Sequence, residues 1–145
     1  MKKVYFLFLL LFLAAPVFSQ LAGTTWKIAP QAQALAVGPT KGNFSWWSNS
    51  AGDVSLRACF FDDEYVFEAD GTFRNVLGDE TWNEEWQGVP AGCSAPIAPH
   101  DGSAQATWAY DEAAGTITIT GKGAYLGLAK VHNACLLYTS DAADD

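Results

Sequence analysis

Basic residues are scarce in this chain, with 8 Lys and Arg against 16 Asp and Glu and a formal charge of −8 over 145 residues. No basic stripe offsets that balance, so the surface repels phosphate backbones and nucleic acid is excluded as a partner. Histidine occurs twice and cysteine three times, without the paired spacing of a zinc site. No Gly-rich phosphate loop precedes a helix, no nucleophile elbow G-x-S-x-G occurs, and the EF-hand spacing D-x-D-x-D-G is missing. Helical periodicity is nearly absent as well. Nothing here calls for a metal or a cofactor, and no residue is assigned a catalytic role.

A long apolar run occurs once. Lys2 and Lys3 lead into Val4 to Ala15, Pro16 breaks the run, and Val17-Phe18-Ser19 offers a small-residue exit ahead of Gln20. A basic start, a short apolar stretch and that exit spell a secretory signal peptide over residues 1–19. Twelve apolar residues fall short of the roughly 20 that span a bilayer. The expectation is an exported protein, secreted, periplasmic or cell-surface, with no stable membrane span after cleavage. At the other end, Cys135 to Asp145 resembles a translated transposon-end sequencing adapter. Residues 135–145 are therefore set aside, and 20–134 are read as a β-module cut short of its final strands, with any linked downstream domains lost.

The 20–134 segment holds six basic and thirteen acidic residues, a net charge of −7, and all six Trp with five Phe and three Tyr. A disordered linker lacks so many large apolar groups. With Cys135 set aside, Cys59 and Cys93 remain, and an even count in an exported chain reads as one disulfide. A loop of that length adds about 3–4 kcal/mol in the chain-entropy model.

Short strands separated by turns fill the segment. Trp26 to Ile28 forms a first strand before Pro30, Gln31 to Leu35 allows a helical turn, and Phe44 to Trp47 extends. Val54 to Phe61 alternates loosely and reads as a strand that carries Cys59. Tyr65 to Gly78 is the clearest signal: Tyr65 and Phe67 share one face at a period of two, and Asp70-Gly71 supplies a tight hairpin turn. Ala106 to Thr120 repeats the plan, with Thr and Ile alternating after Gly115. A long loop from Gly88 to Ser103 separates the hairpins, and Ala124 to Leu128 starts another strand. The expected fold is all-β, an antiparallel barrel or sandwich with one exposed edge.

Three stretches carry a resemblance: Gly23-Thr24-Thr25-Trp26-Lys27, the block from Cys59 to Phe73 that reads C-x-x-D-D-x-Y-x-F-x-x-D-G-T-F, and a later Trp strand. They resemble secreted bacterial lipocalin-like domains. Ser45-Trp46-Trp47-Ser48, Glu80-Thr81-Trp82, Trp86-Gln87-Gly88, the run from Ala98 to Ser103 and the run from Gly123 to Leu128 are similar to modules of exported bacterial glycan-utilisation proteins. Some of those modules accompany family 16 glycoside hydrolases or PKD domains. The resemblance implies a lipocalin-like barrel and a role in handling glycans.

The residues point to a ligand in the same direction. Trp46-Trp47 lies in a polar loop, and neighbours on a strand face opposite ways, so at most one is core. Trp82 and Trp86 are four apart with Glu84 between them, which gives a two-Trp platform with a carboxylate. Sugar rings stack their C–H faces on indole while amides and carboxylates meet their hydroxyls. Trp26 and Trp108 are expected in the core. Asp62-Asp63-Glu64 reads as a solvated strand-entry turn, and His100-Asp101 adds a polar pair in a Pro-rich loop. The E-x-D-x-x-E strand signature of family 16 enzymes is absent. The reading is therefore a non-catalytic module whose ligand-binding residues are Trp46, Trp47, Trp82, Glu84, Trp86, His100 and Asp101. Its ligand is a polysaccharide or oligosaccharide. The alternatives are a lipocalin-like carrier of a small apolar ligand and the N-terminal accessory part of a larger glycoside hydrolase.

Overall fold

A computed structural model describes residues 21–40 and 42–130. The expected signal peptide and the adapter-like tail lie outside those residues. The described part is mostly antiparallel sheet with a few short helical turns. Its strands are β1 (Thr24–Trp26), β2 (Ala36–Val37), β3 (Trp47–Ser48), β4 (Glu64–Phe67), β5 (Thr72–Val76), β6 (Thr81–Asn83), β7 (Gly92–Ser94), β8 (Ala106–Asp111) and β9 (Thr116–Thr120). Five of them form one sheet in the order β1-β4-β5-β8-β9, while β2-β3 and β6-β7 pair separately.

The central hairpin forms where the alternation predicts it. Tyr65, Phe67 and Phe73 point to one face and are buried, and Phe67 sits opposite Phe73 in the register. Gly71 takes φ of +91° at the turn, a value reached without strain only by a residue lacking Cβ. The Asp70 carboxylate accepts the Thr72 N–H at 2.9 Å, which closes that turn. Around the three rings pack Leu77, Ala106, Trp108, Ala124 and Tyr125. Phe67 meets Phe73 and Trp108 edge-on, with centroids 5.2 and 5.4 Å apart, and the Trp108 indole N–H donates to the Glu68 carbonyl at 3.0 Å.

The sheet curls without closing. Trp26 on β1 and Ile117 on β9, the two outer strands, line the same apolar groove, yet β1 and β9 are not hydrogen-bonded to each other. Trp26 is 52% exposed, contrary to its expected core position. It lies opposite Tyr65 in the register, on the covered face, but at the open border of the sheet only part of its ring finds a neighbour.

Three further expectations are corrected. Val54 to Phe61 is no strand: α1 (Ala51–Leu56) and α2 (Ala58–Phe61) occupy it. A capping box starts α1, in which the Ser50 hydroxyl accepts the Asp53 N–H at 3.2 Å and the Asp53 carboxylate accepts the Ser50 N–H at 2.7 Å. Burial of Cys59, Phe60 and Phe61 in succession then suits a helical turn inserted between layers, whereas a strand alternates. Ala124 to Leu128 forms no strand, because Gly121, Gly123 and Gly127 all take positive φ. A Cβ on Gly123 would overlap the Pro99 carbonyl oxygen, so this segment is laid tightly against the Pro-rich loop. That loop is not wholly irregular either, since β7 within it pairs with β6. The expected disulfide is present and joins Cys59 of α2, rather than a strand, to Cys93 of β7, with Cα atoms 5.9 Å apart.

Candidate functional site

Beside the disulfide, β6, a 3₁₀ turn over Glu85–Gln87 and the 121–130 segment enclose a cleft of about 240 Å³. Burial alternates along β6, with Thr81 and Asn83 buried and Trp82 turned the other way. Gly88, at φ of +85°, ends the 3₁₀ turn and donates its N–H to the Glu85 carbonyl, which presents Trp86 and Gln87 at the cleft. Thr81, Trp82, Glu84, Trp86, Gln87, His100, Tyr125 and Lys130 supply most of its polar and aromatic lining.

The structure therefore brings together four of the sequence-predicted site residues: Trp82, Glu84, Trp86 and His100. The other three do not line this cleft. Trp46 is 56% exposed on the chain leading into β3. Trp47 lies against the back of the site, as described below. The Asp101 carboxylate accepts the N–H and the hydroxyl of Ser103 at 3.0 and 2.6 Å, an Asx-type turn. Those two bonds, with a smaller contribution from His100, hold its pKa below the usual carboxylate range.

Arg57, a residue that the strand reading of 54–61 left without a role, organises the back wall. Its guanidinium lies 4.3 Å from the Trp82 ring centroid and 5.1 Å from that of Trp47, so the cation is layered between two indoles. Its Nη1 donates to Glu84 Oε1 at 3.1 Å, and the Trp82 indole N–H donates to the same oxygen at 2.9 Å. Glu84 is thus positioned and charge-compensated from within the protein. Both indoles have a cation over a face, Arg57 at 4.3 Å from the Trp82 centroid and Lys130 at 6.0 Å from that of Trp86, so Trp86 is the less closely covered.

On the opposite wall His100 contacts both Trp86 and Tyr125 edge-on, with centroids 5.5 and 5.9 Å apart. It is 4% exposed, and burial lowers its pKa below the ordinary histidine value while Asp101 pulls the other way. Burial thus favours the neutral form of the ring. Burial likewise pushes the Tyr125 phenol upward, as does nearby Asp63. Lys130 Nζ stands 6.0 Å from the Trp86 centroid. Asn83 secures the frame by donating to Ser94 and Ala95 across β6-β7 and accepting from Gln87 Nε2 at 3.3 Å.

The acidic triplet departs from its expected solvated turn. Asp62 is exposed, Glu64 pairs with Lys27 at 3.2 Å, and Asp63 is 1% exposed. Asp63 Oδ2 accepts the Thr81 hydroxyl at 2.7 Å, placing this carboxyl behind the cleft residue Thr81. Sequence reasoning missed Arg57, Thr81, Gln87, Tyr125 and Lys130. Tyr125 and Gln87 belong to quoted motifs, but only the fold shows that they converge.

Chemically the cleft offers the indoles of Trp82 and Trp86, the amide or hydroxyl groups of Thr81, Asn83, Gln87 and Tyr125, the Glu84 carboxylate and the Lys130 ammonium. No protein-family model matches the chain, and no curated protein or solved structure matches it. The functional reading rests on this geometry.

Proposed function

We propose that this chain is an exported, non-catalytic β-module that binds a polysaccharide or oligosaccharide in the cleft around Trp86. The observation that carries the reading is the convergence of Trp82, Glu84, Trp86 and His100 with Gln87, Thr81 and Lys130 on one open concavity. An indole face takes the apolar side of a sugar ring while placed polar groups take its hydroxyls. The volume, below the roughly 300–1,000 Å³ of drug-sized sites, suits a single ring with the remaining chain running outward. The disulfide and the resemblance to lipocalin-like modules of bacterial glycan-utilisation proteins support an oxidising, extracytoplasmic setting.

Intrinsic Trp fluorescence titrated with a panel of neutral and acidic polysaccharides tests the reading. A saturable change is expected, with the affinity reduced at least tenfold by Trp86→Ala and left intact by Trp46→Ala. A flat response across the panel rules the reading out.

A second reading has its own observation. The apolar groove of about 350 Å³ between the outer strands is lined by Leu21, Trp26, Ile28, Tyr65, Phe67 and Leu126, which favours a lipocalin-like carrier of a small apolar ligand. Displacement of a hydrophobic fluorophore by long-chain fatty acids or sterols would support the carrier, and Trp26→Ser should abolish that displacement. Failure of the fluorophore to bind removes the carrier reading.

A further inference from the structure

The ion pairs of the described residues leave one cationic cleft residue uncompensated. Lys27 pairs with Glu64, Arg57 with Glu84 and Arg74 with Glu68; none involves Lys130. Among the described residues Glu84 is the only carboxylate lining the cleft, and Arg57 balances it from behind. With Glu84 paired to Arg57, the Lys130 ammonium stands in the cleft without a carboxylate partner among the described residues, on a chain whose total is −8.

That charge is placed for recognition. Lys130 Nζ sits over Trp86 at 6.0 Å from the ring centroid. A pyranose stacked on Trp86 would bring a substituent on its rim to the ammonium. A neutral hydroxyl there gains an ordinary hydrogen bond, whereas a carboxylate or sulfate gains a charge-assisted one, roughly twice as strong. The acidic surface elsewhere opposes a polyanion at long range. The Debye length of about 8 Å at physiological ionic strength screens that repulsion, and a contact pair at the cleft is screened much less.

From this we infer that the cleft selects an anionic saccharide, one whose ring bears a carboxylate or a sulfate ester that pairs with Lys130 while the ring stacks on Trp86. The inference rests on the reading of the cleft as a glycan site and names the class of glycan that it takes.

The test is isothermal titration of the whole chain at 0.15 M salt with three kinds of oligosaccharide: a neutral β-glucan, a polyuronate such as oligogalacturonate, and a sulfated galactan. At least one of the two anionic ligands is expected to bind tenfold or more tightly than the neutral one, and which of them does so assigns carboxylate or sulfate. Lys130→Gln should erase that preference and Lys130→Arg should retain it. Circular dichroism of each variant establishes that it is folded. Equal or tighter binding of the neutral glucan overturns the anionic preference and leaves the glycan site standing. Anionic binding that Lys130→Gln does not weaken overturns the assignment of the charge to Lys130. Absence of binding by all three, together with a flat fluorescence response to the wider panel, overturns the glycan site itself.

Discussion

The least expected single residue is Asp63. It is one of three consecutive acids, and nothing in a linear run says which of them faces inward. The strand alternation that starts at Glu64 buries Tyr65 and Phe67, and the same period carried backward buries Asp63. Its Oδ2 accepts from Thr81, while its buried Oδ1 has no hydrogen-bond partner among the described residues. Burial raises its pKa from 3.8 to about 7; the Thr81 hydrogen bond lowers it, Asp62 raises it and Lys27 lowers it in turn. Between about pH 4 and 7 the native chain therefore holds a proton that the unfolded chain has released. Its contribution to stability is complete at the acid end of that window and falls as pH rises, by at most about 1.4 kcal/mol per pH unit. His100, held below its ordinary pKa by burial, gives the opposite slope near pH 6, but equally in any Asp63 variant. Asp63→Asn keeps an oxygen for Thr81 and cannot ionise. Urea unfolding at pH 4.5, 6.0 and 7.5 should show Asp63→Asn gaining on the native sequence at each step and exceeding it at pH 7.5. A difference constant across the three pH values would place Asp63 in water.

At the scale of elements, the hairpins were legible and the turns of helix were not, for a physical reason. A period of two followed by Asp-Gly specifies a hairpin almost by itself, because both the buried face and the backbone angles are written locally. Phe73, fully buried between Phe67 and the β8 strand, is the residue on which that local code converges with the core. Phe73→Ala should cost about 3–5 kcal/mol through lost burial and a residual cavity, seen as a fall in the denaturation midpoint. A loss under about 1 kcal/mol would mean that the curled sheet collapses to refill the space. By contrast α1 and α2 span six and four residues, too few for a helical period to repeat. Their signal was the capping pair Ser50 and Asp53, which a search for alternation passes over. That misreading hid Arg57, whose place at the junction of the two turns lets it reach Trp47, Trp82 and Glu84 together. The candidate site was thus half visible: Trp82, Glu84 and Trp86 are near neighbours in the chain. Tyr125 and Lys130 reach the cleft only because the glycine-rich 121–130 segment folds back on Pro99.

The whole molecule divides its concavities by chemistry. The apolar groove belongs to the curled five-stranded sheet, with walls from β1, β4 and β9. The polar cleft lies between the 121–130 segment with His100 and the smaller assembly of α2, β6 and the 3₁₀ turn, which has little core of its own. Phe60 and Phe61 are its main buried apolar side chains, and the Cys59–Cys93 bond fastens α2 to β7 where packing is thin. Closing a loop over a sequence separation of 34 stabilises the fold by about 3–4 kcal/mol in the chain-entropy model. The paired substitution Cys59→Ala with Cys93→Ala should lower stability by that amount. Its effect on binding should be unequal, because Phe60 of α2 forms part of the cleft wall and the groove takes nothing from α2 or β7. Titrations of the double variant under conditions where circular dichroism shows it folded should find glycan affinity reduced several-fold and fluorophore binding at the groove unchanged. Equal losses at both concavities would show that the bridge acts on the fold as one cooperative unit, with no separate hold on the cleft.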